Sequence, residues 1–191
     1  MNRSGPPPAS ARDPASARGP LPAPARSSRA GFPARLTRRT AALTAGIGLA
    51  ALAADAVTKA WALSALRDGH RITLAGGPVR LQLVANHGAA FGIGARYEPL
   101  IVAVSFAGVV LLAVWALAAA TGTERFGAAL AAGGAAGNLV DRVTRPLGSL
   151  HGAVIDWIHV SFYAPTFNLA DLWLRGGILL AAVGWLWRRR R

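Results

Sequence analysis

Cysteine is absent from this chain, and acidic residues are scarce, with no Cys and eight Asp plus Glu among 191 residues. Without Cys there can be no disulfide, no thiolate metal site and no cysteine nucleophile. Charge of either sign is sparse, at 15% of the chain against 53% hydrophobic residues. That balance suits a bilayer better than water. The formal net charge of +13 could suggest nucleic acid, but its distribution points elsewhere. Eight arginines lie in residues 1–39 and four more are Arg188 to Arg191. Basic residues flanking apolar spans mark cytoplasmic ends, and no nucleic-acid-reading motif accompanies them. The basic ends are topology signals and contacts for anionic membrane lipids.

Residues 1–34 are Pro, Ala, Arg, Ser and Gly with almost no large apolar side chain. Such a segment cannot bury a core and is expected to be a disordered cytoplasmic tail. The first apolar run, from about Thr40, is longer than the h-region of a signal peptide and reads as a retained span. Residues 35–191 then form one membrane domain with four apolar stretches, about 40–66, 99–120, 126–143 and 167–187. Each approaches the roughly 20 residues that a helix needs to cross a bilayer. The third is the shortest and least apolar, and its Gly133-xxx-Gly137 spacing suits close packing inside a bundle. Four spans put both termini in the cytoplasm and residues 67–97 and 144–166 outside. Trp61 and Trp173 suit the outer interface, Trp185 and Trp187 the inner one.

The outer segment has a pattern of its own. Ile72 and Leu74, then Val79, Leu81 and Leu83, alternate with polar residues around Gly76-Gly77-Pro78. Period-2 alternation about a Gly/Pro turn predicts a β-hairpin with one apolar face, suited to the membrane surface. Residues 154–163 mix apolar and polar groups and read as interfacial. The expected fold is an all-α membrane protein of four transmembrane helices with a small extracytoplasmic β-element.

Asp141 and Asp171 lie inside or beside apolar spans, each with an Asn three residues earlier, Asn138 and Asn168. An ionisable group within a bilayer costs about 3 kcal/mol on insertion scales and is a functional-site hypothesis by default. The topology brings both to one membrane surface. Gly134, Asn138, Asp141 and Arg142 share one helical face, and so do Asn168, Asp171 and Arg175. Two close carboxylates in a dry site share a proton: one is an acid and the other a base. Such a pair can activate water and protonate a leaving amine. The bland alternative is a helix cap or an ion pair with Arg142, Arg145 or Arg175. No His stands at ligand spacing from either Asp, so neither a metal nor another cofactor is expected. Asp55 and Lys59, at i and i+4, can pair on one face. Asn86, after a predicted strand, reads as a turn residue. A proton-coupled transporter is the competing function for intramembrane carboxylates, but it would spread them over several depths.

Five blocks together resemble the lipoprotein signal peptidase family, signal peptidase II. They are Asp55-Ala-Val-Thr-Lys59, Asn86-His-Gly-Ala-Ala-Phe91, Gly133-Gly-Ala-Ala-Gly-Asn-Leu-Val-Asp141-Arg142, Val154-Ile-Asp-Trp157 and Phe167-Asn-Leu-Ala-Asp171. The resemblance implies an aspartic endopeptidase with Asp141 and Asp171 as catalytic dyad. It implies that Asn86, Asn138, Arg142 and Asn168 position the substrate or the dyad, and that Asp55 and Lys59 support the site. The implied substrate is a prolipoprotein whose Cys carries a diacylglyceryl group, cut on the amino side of that Cys to release the signal peptide. The hairpin resembles the family's extracytoplasmic platform. Arg175 stands where an apolar residue is expected, one turn from Asp171, and could bias which carboxylate is the base. The N-terminal tail has no counterpart in the family pattern.

Overall fold

The computed structural model describes Met1 and residues 36–74, 76–88, 98–145 and 152–190. The tail expected to be disordered lies almost entirely outside these residues. Among the described residues there are four α-helices: α1 (Arg38–Ala65), α2 (Glu98–Ala118), α3 (Gly122–Thr144) and α4 (Leu169–Arg189). A four-stranded antiparallel sheet accompanies them, with strands β1 (Arg71–Leu74), β2 (Val79–Asn86), β3 (Val154–Val160) and β4 (Tyr163–Phe167) in the order β1-β2-β3-β4.

Polar caps start three of the helices. Thr37 accepts from the amide of Thr40, Thr121 from Glu124 and Asn168 from Asp171, each satisfying an amide that the first turn leaves free. α1, α2 and α4 are long and apolar enough to cross a membrane, whereas α3 is not apolar enough to count by composition. Packing explains the difference. α3 lies against α4, α2 and α1, so neighbouring helices rather than lipid cover most of its surface. Large apolar side chains face outward instead on its neighbours, among them Leu49 and Val57 of α1, Val104, Phe106 and Leu111 of α2, and Leu179 of α4.

Small residues allow α3 its close contacts. A Cβ added at Gly127 would meet the Gly177 carbonyl oxygen at 2.6 Å, and one at Gly177 would meet the Ala131 amide nitrogen at the same distance. Gly133 is just as close to the backbone of Gly48 on α1, and Gly137 abuts the Asp55 carboxylate. Both glycines of the Gly133-xxx-Gly137 motif therefore face α1.

The hairpin forms as its alternation predicts. Arg71 pairs with Gln82 and Leu74 with Val79. Gly76 and Gly77 turn the chain with φ of 71° and 122°, a region open to glycine but strained for other residues. Its apolar face packs on the end of α1: Leu81 is buried with Ala62 and Leu66, and Ile72, Val79, Leu83 and Trp157 close around them. Trp61 meets Trp157 edge to face at 5.5 Å. The stretch 154–163, read as merely interfacial, instead supplies β3 and the turn into β4. Asn86 pairs with Val154 and Val84 with Asp156. The register between these strands is irregular between Leu81 and Val84, where β2 carries one extra residue. β3 carries Asp156 from the sheet to the helix ends, and β4 leads directly into α4.

Candidate active site

Two linked polar clusters occupy the junction of α1, α3, α4 and the sheet. The first centres on Lys59, which is only 1% exposed. Its ammonium nitrogen lies 2.7 Å from Asp55 Oδ2, 2.8 Å from Asp141 Oδ2 and 3.0 Å from Asn138 Oδ1. Asp55 also accepts from the Ala170 amide at 2.9 Å, tying α1 to the first turn of α4. Asp141 Oδ1 receives Nε and Nη2 of Arg145 at 3.1 and 3.0 Å, and its Oδ2 receives the Ile155 amide at 3.2 Å. Two anions, Asp55 and Asp141, thus meet two cations, Lys59 and Arg145. A buried charge without such partners would be strongly destabilising.

The second cluster holds Asp156 and Asp171. Asp156, 2% exposed, accepts from Asn86 Nδ2 at 2.9 Å and from Asn168 Nδ2 at 2.7 Å. Burial raises its pKa to about 6, and the nearby Asp171 carboxylate pushes the same way, against the two asparagine hydrogen bonds and Lys59. Asp171 is the third residue of α4. Its Oδ1 accepts from Asn138 Nδ2 at 3.0 Å, and its Oδ2 closes a reciprocal capping box with the Asn168 backbone. Asn138 joins the clusters by touching Lys59, Asn168 and Asp171. Arg142 donates to the carbonyls of Gly88 and Asn138 at 2.9 and 3.2 Å, holding the end of β2 against α3.

All eight residues singled out from the sequence therefore converge on this junction. Both oxygens of Asp141 are engaged by cations and a backbone amide, which leaves little capacity to bind water. Asp156 and Asp171 share Asn168, whose side-chain amide donates to Asp156 and whose backbone amide donates to Asp171. The sequence did carry a signal for Asp156, an acid flanked by Val154, Ile155 and Trp157 in a buried strand, but it lay in a stretch not recognised as a strand. The repeated Asn at i−3 also proves to be two different devices. Asn168 is a helix cap, whereas Asn138 sits inside α3 and bridges between helices. Arg175 donates to the Tyr163 hydroxyl at 2.9 Å and, among the described residues, pairs with no carboxylate.

Comparison with known proteins identifies the family. The sequence profile described as "Signal peptidase (SPase) II" matches residues 47–187. The chain belongs to the signal peptidase II family. It is an aspartic peptidase of that family and a bacterial membrane protein with several transmembrane helices. It is 39% identical over 140 residues to the lipoprotein signal peptidase of Bifidobacterium adolescentis, covering 73% of this chain and 74% of that one. It is 35% identical over 142 residues to the lipoprotein signal peptidase of Mycobacterium avium, covering 74% and 77%. A bacterial membrane enzyme solved by the in meso method superimposes with a TM-score of 0.66 at 25% identity, over 76% of this chain and 88% of the other. The helices and the small sheet are thus features of a known membrane-enzyme fold.

Proposed function

We propose that Asp156 and Asp171 form the catalytic dyad of this signal peptidase, and that Asp141 belongs to the ion cluster that holds the dyad in place. The substrate is a prolipoprotein and the product is its released signal peptide. The observation carrying the assignment is that Asn168 donates to both carboxylates, from its side-chain amide to Asp156 and from its backbone amide to Asp171, so one residue links the two.

The roles follow from the surroundings. Asp156 holds the shared proton, because burial and its neighbour raise its pKa to about 6. Asp171 is the base, set at a helix N-terminus where the peptide dipoles complement negative charge. Water held between them loses a proton to Asp171 as it attacks the scissile carbonyl carbon. Asp156 gives its proton to the developing oxyanion. Collapse of the tetrahedral intermediate breaks the C–N bond, and the amine leaves with a proton from the dyad. The cut falls on the amino side of the diacylglyceryl-bearing Cys. Asn86, Asn138 and Asn168 orient the carboxylates, Arg142 fixes the strand end beside them, and Asp55 with Lys59 supports the helix junction.

A signal peptide is an apolar helix that reaches the catalytic depth within the bilayer. Four spans with basic termini in the cytoplasm put the dyad near the extracytoplasmic face, where the cleavage point of that helix lies. The test is cleavage of a diacylglyceryl-modified lipobox substrate by purified enzyme. Asp156→Asn and Asp171→Asn should each lower turnover by about a hundred- to ten-thousandfold, as loss of a general acid or base does, with the fold intact. Near-normal turnover in either variant would remove that residue from the dyad.

A further inference from the structure

One feature near the dyad takes no part in the chemistry above. An apolar groove of about 230 Å³ lies between the β3–β4 turn and α4, lined by Val160, Phe162, Tyr163, Phe167, Leu172 and Arg175. Its volume is below the about 300–1,000 Å³ of sites that enclose whole small molecules, so it suits a segment of chain. Phe162, at the turn, is 89% exposed. Arg175 is the one charge at this groove. It stands six residues into an apolar helix, about 9 Å along its axis, and it is exposed there. Its contacts are the Tyr163 hydroxyl at 2.9 Å and the Tyr163 ring at 6.0 Å.

A guanidinium on the lipid-facing side of a span needs an anion or an interfacial partner. The Tyr163 hydroxyl accepts from Arg175, so its own proton remains available to a second acceptor. Arg175 and Tyr163 together offer a planar fork and a hydroxyl above an apolar groove. Guanidinium groups match phosphate oxygens in two-point geometry. We infer that Arg175, Tyr163 and this groove bind a membrane phospholipid with a net anionic headgroup, its phosphate on Arg175 and Tyr163 and one acyl chain along Val160, Phe167 and Leu172. The diacylglyceryl group of the substrate carries no phosphate and would leave Arg175 without an anion. The site is therefore one for a resident lipid beside the dyad, separate from the cleavage chemistry.

The experiment uses the full chain in phosphatidylcholine vesicles doped with a phosphatidylglycerol that carries a photoreactive group on one acyl chain. Illumination should label the peptides containing residues 160–167 or 172. A phosphatidylcholine analogue should label them about fivefold less, since one basic residue near a membrane surface is worth about 1 kcal/mol toward an anionic lipid. Arg175→Leu should abolish the preference. Equal labelling by the two lipids, or an unchanged preference in Arg175→Leu, would overturn the site. Competition on the wild-type chain keeps the test independent of variant folding. Unlabelled phosphatidylglycerol should displace the probe, whereas glycerophosphoglycerol, which has the headgroup and no chains, and a lipid-modified substrate peptide should not. Displacement by the chain-free headgroup would make this a simple anion site. Displacement by the substrate peptide would assign the groove to substrate. Either result contradicts a resident phospholipid.

Discussion

Single side chains divide into those that react and those that hold. Lys59 is the clearest of the second kind, a buried ammonium shared by Asp55, Asp141 and Asn138. Lys59→Met would leave the two carboxylates without it. Breaking a buried ion pair on one side costs about 3–5 kcal/mol, so the variant should melt well below wild type in detergent, even where traces of cleavage persist. A catalytic role for Asp156 would show in the pH dependence of activity. Its pKa is raised from 3.8 to about 6, so its acid form persists to about pH 6 and is lost above it. Turnover by a dyad that needs this proton should therefore fall as pH rises through about 6, which a pH profile of kcat/KM on a lipid-modified peptide would reveal. For stability the sign is the same. The folded chain holds this proton between about pH 4 and 6 while the unfolded chain does not, so Asp156 favours folding most at low pH and less as pH rises through that window. Asp156→Asn should flatten that window in a thermal melt. The sequence displayed Asp55 and Lys59 as a pair because i, i+4 is local geometry. It could not display Asp141 reaching Lys59, because that contact joins two helices far apart in the chain. The same limit applies to Asp156: the capping box of Asp171 with Asn168 is local, whereas the approach of Asp156 to Asn168 depends on where β3 lies.

Elements show the same division between local and distant causes. Three spans and the first hairpin were legible because their signals, apolar runs and alternation about Gly76-Gly77-Pro78, are contained within each segment. α3 was legible only as a weak span, since its low hydropathy reflects burial by neighbours rather than contact with lipid. Its start at Gly122 precedes the apolar run, because Thr121 caps a first turn containing the buried Glu124, which accepts from Trp115 Nε1 at 3.0 Å. β3 and β4 were not legible because β3 is buried on both faces at its start, without clean apolar–polar alternation, and β4 contains Pro165. Glycine contacts on α3 give the element-scale test. Gly137→Ala places a methyl group against the Asp55 carboxylate and should disturb the Lys59 cluster, lowering both melting temperature and cleavage. Gly46→Ala, on α1 where a Cβ meets nothing within 4 Å, should leave both unchanged.

At the scale of the whole molecule, helices anchor the chain in a bilayer and a small sheet delivers one acid to another acid at a helix N-terminus. Neither part makes the site alone. Asp171 comes from a span and Asp156 from the sheet, so the proposed dyad requires the sheet to be seated on the helix ends. That arrangement suits a substrate whose signal helix lies among the spans and whose cleavage point emerges beside the sheet. The topology proposed from the charge distribution is checked separately: reporter fusions at residue 191 should report the cytoplasm, and a reporter inserted in the β1–β2 turn the opposite side. The most direct measurement is cleavage of a diacylglyceryl-modified prolipoprotein by Asp141→Asn, Asp156→Asn and Asp171→Asn enzymes, each with its melting temperature. The Asp156 and Asp171 variants are expected to melt near wild type with cleavage abolished. The Asp141 variant is expected to lose stability, and any cleavage it retains should keep the wild-type pH profile. Cleavage near the wild-type rate by Asp156→Asn, with an inactive and fully stable Asp141→Asn, would contradict the assignment and return the dyad to Asp141 and Asp171.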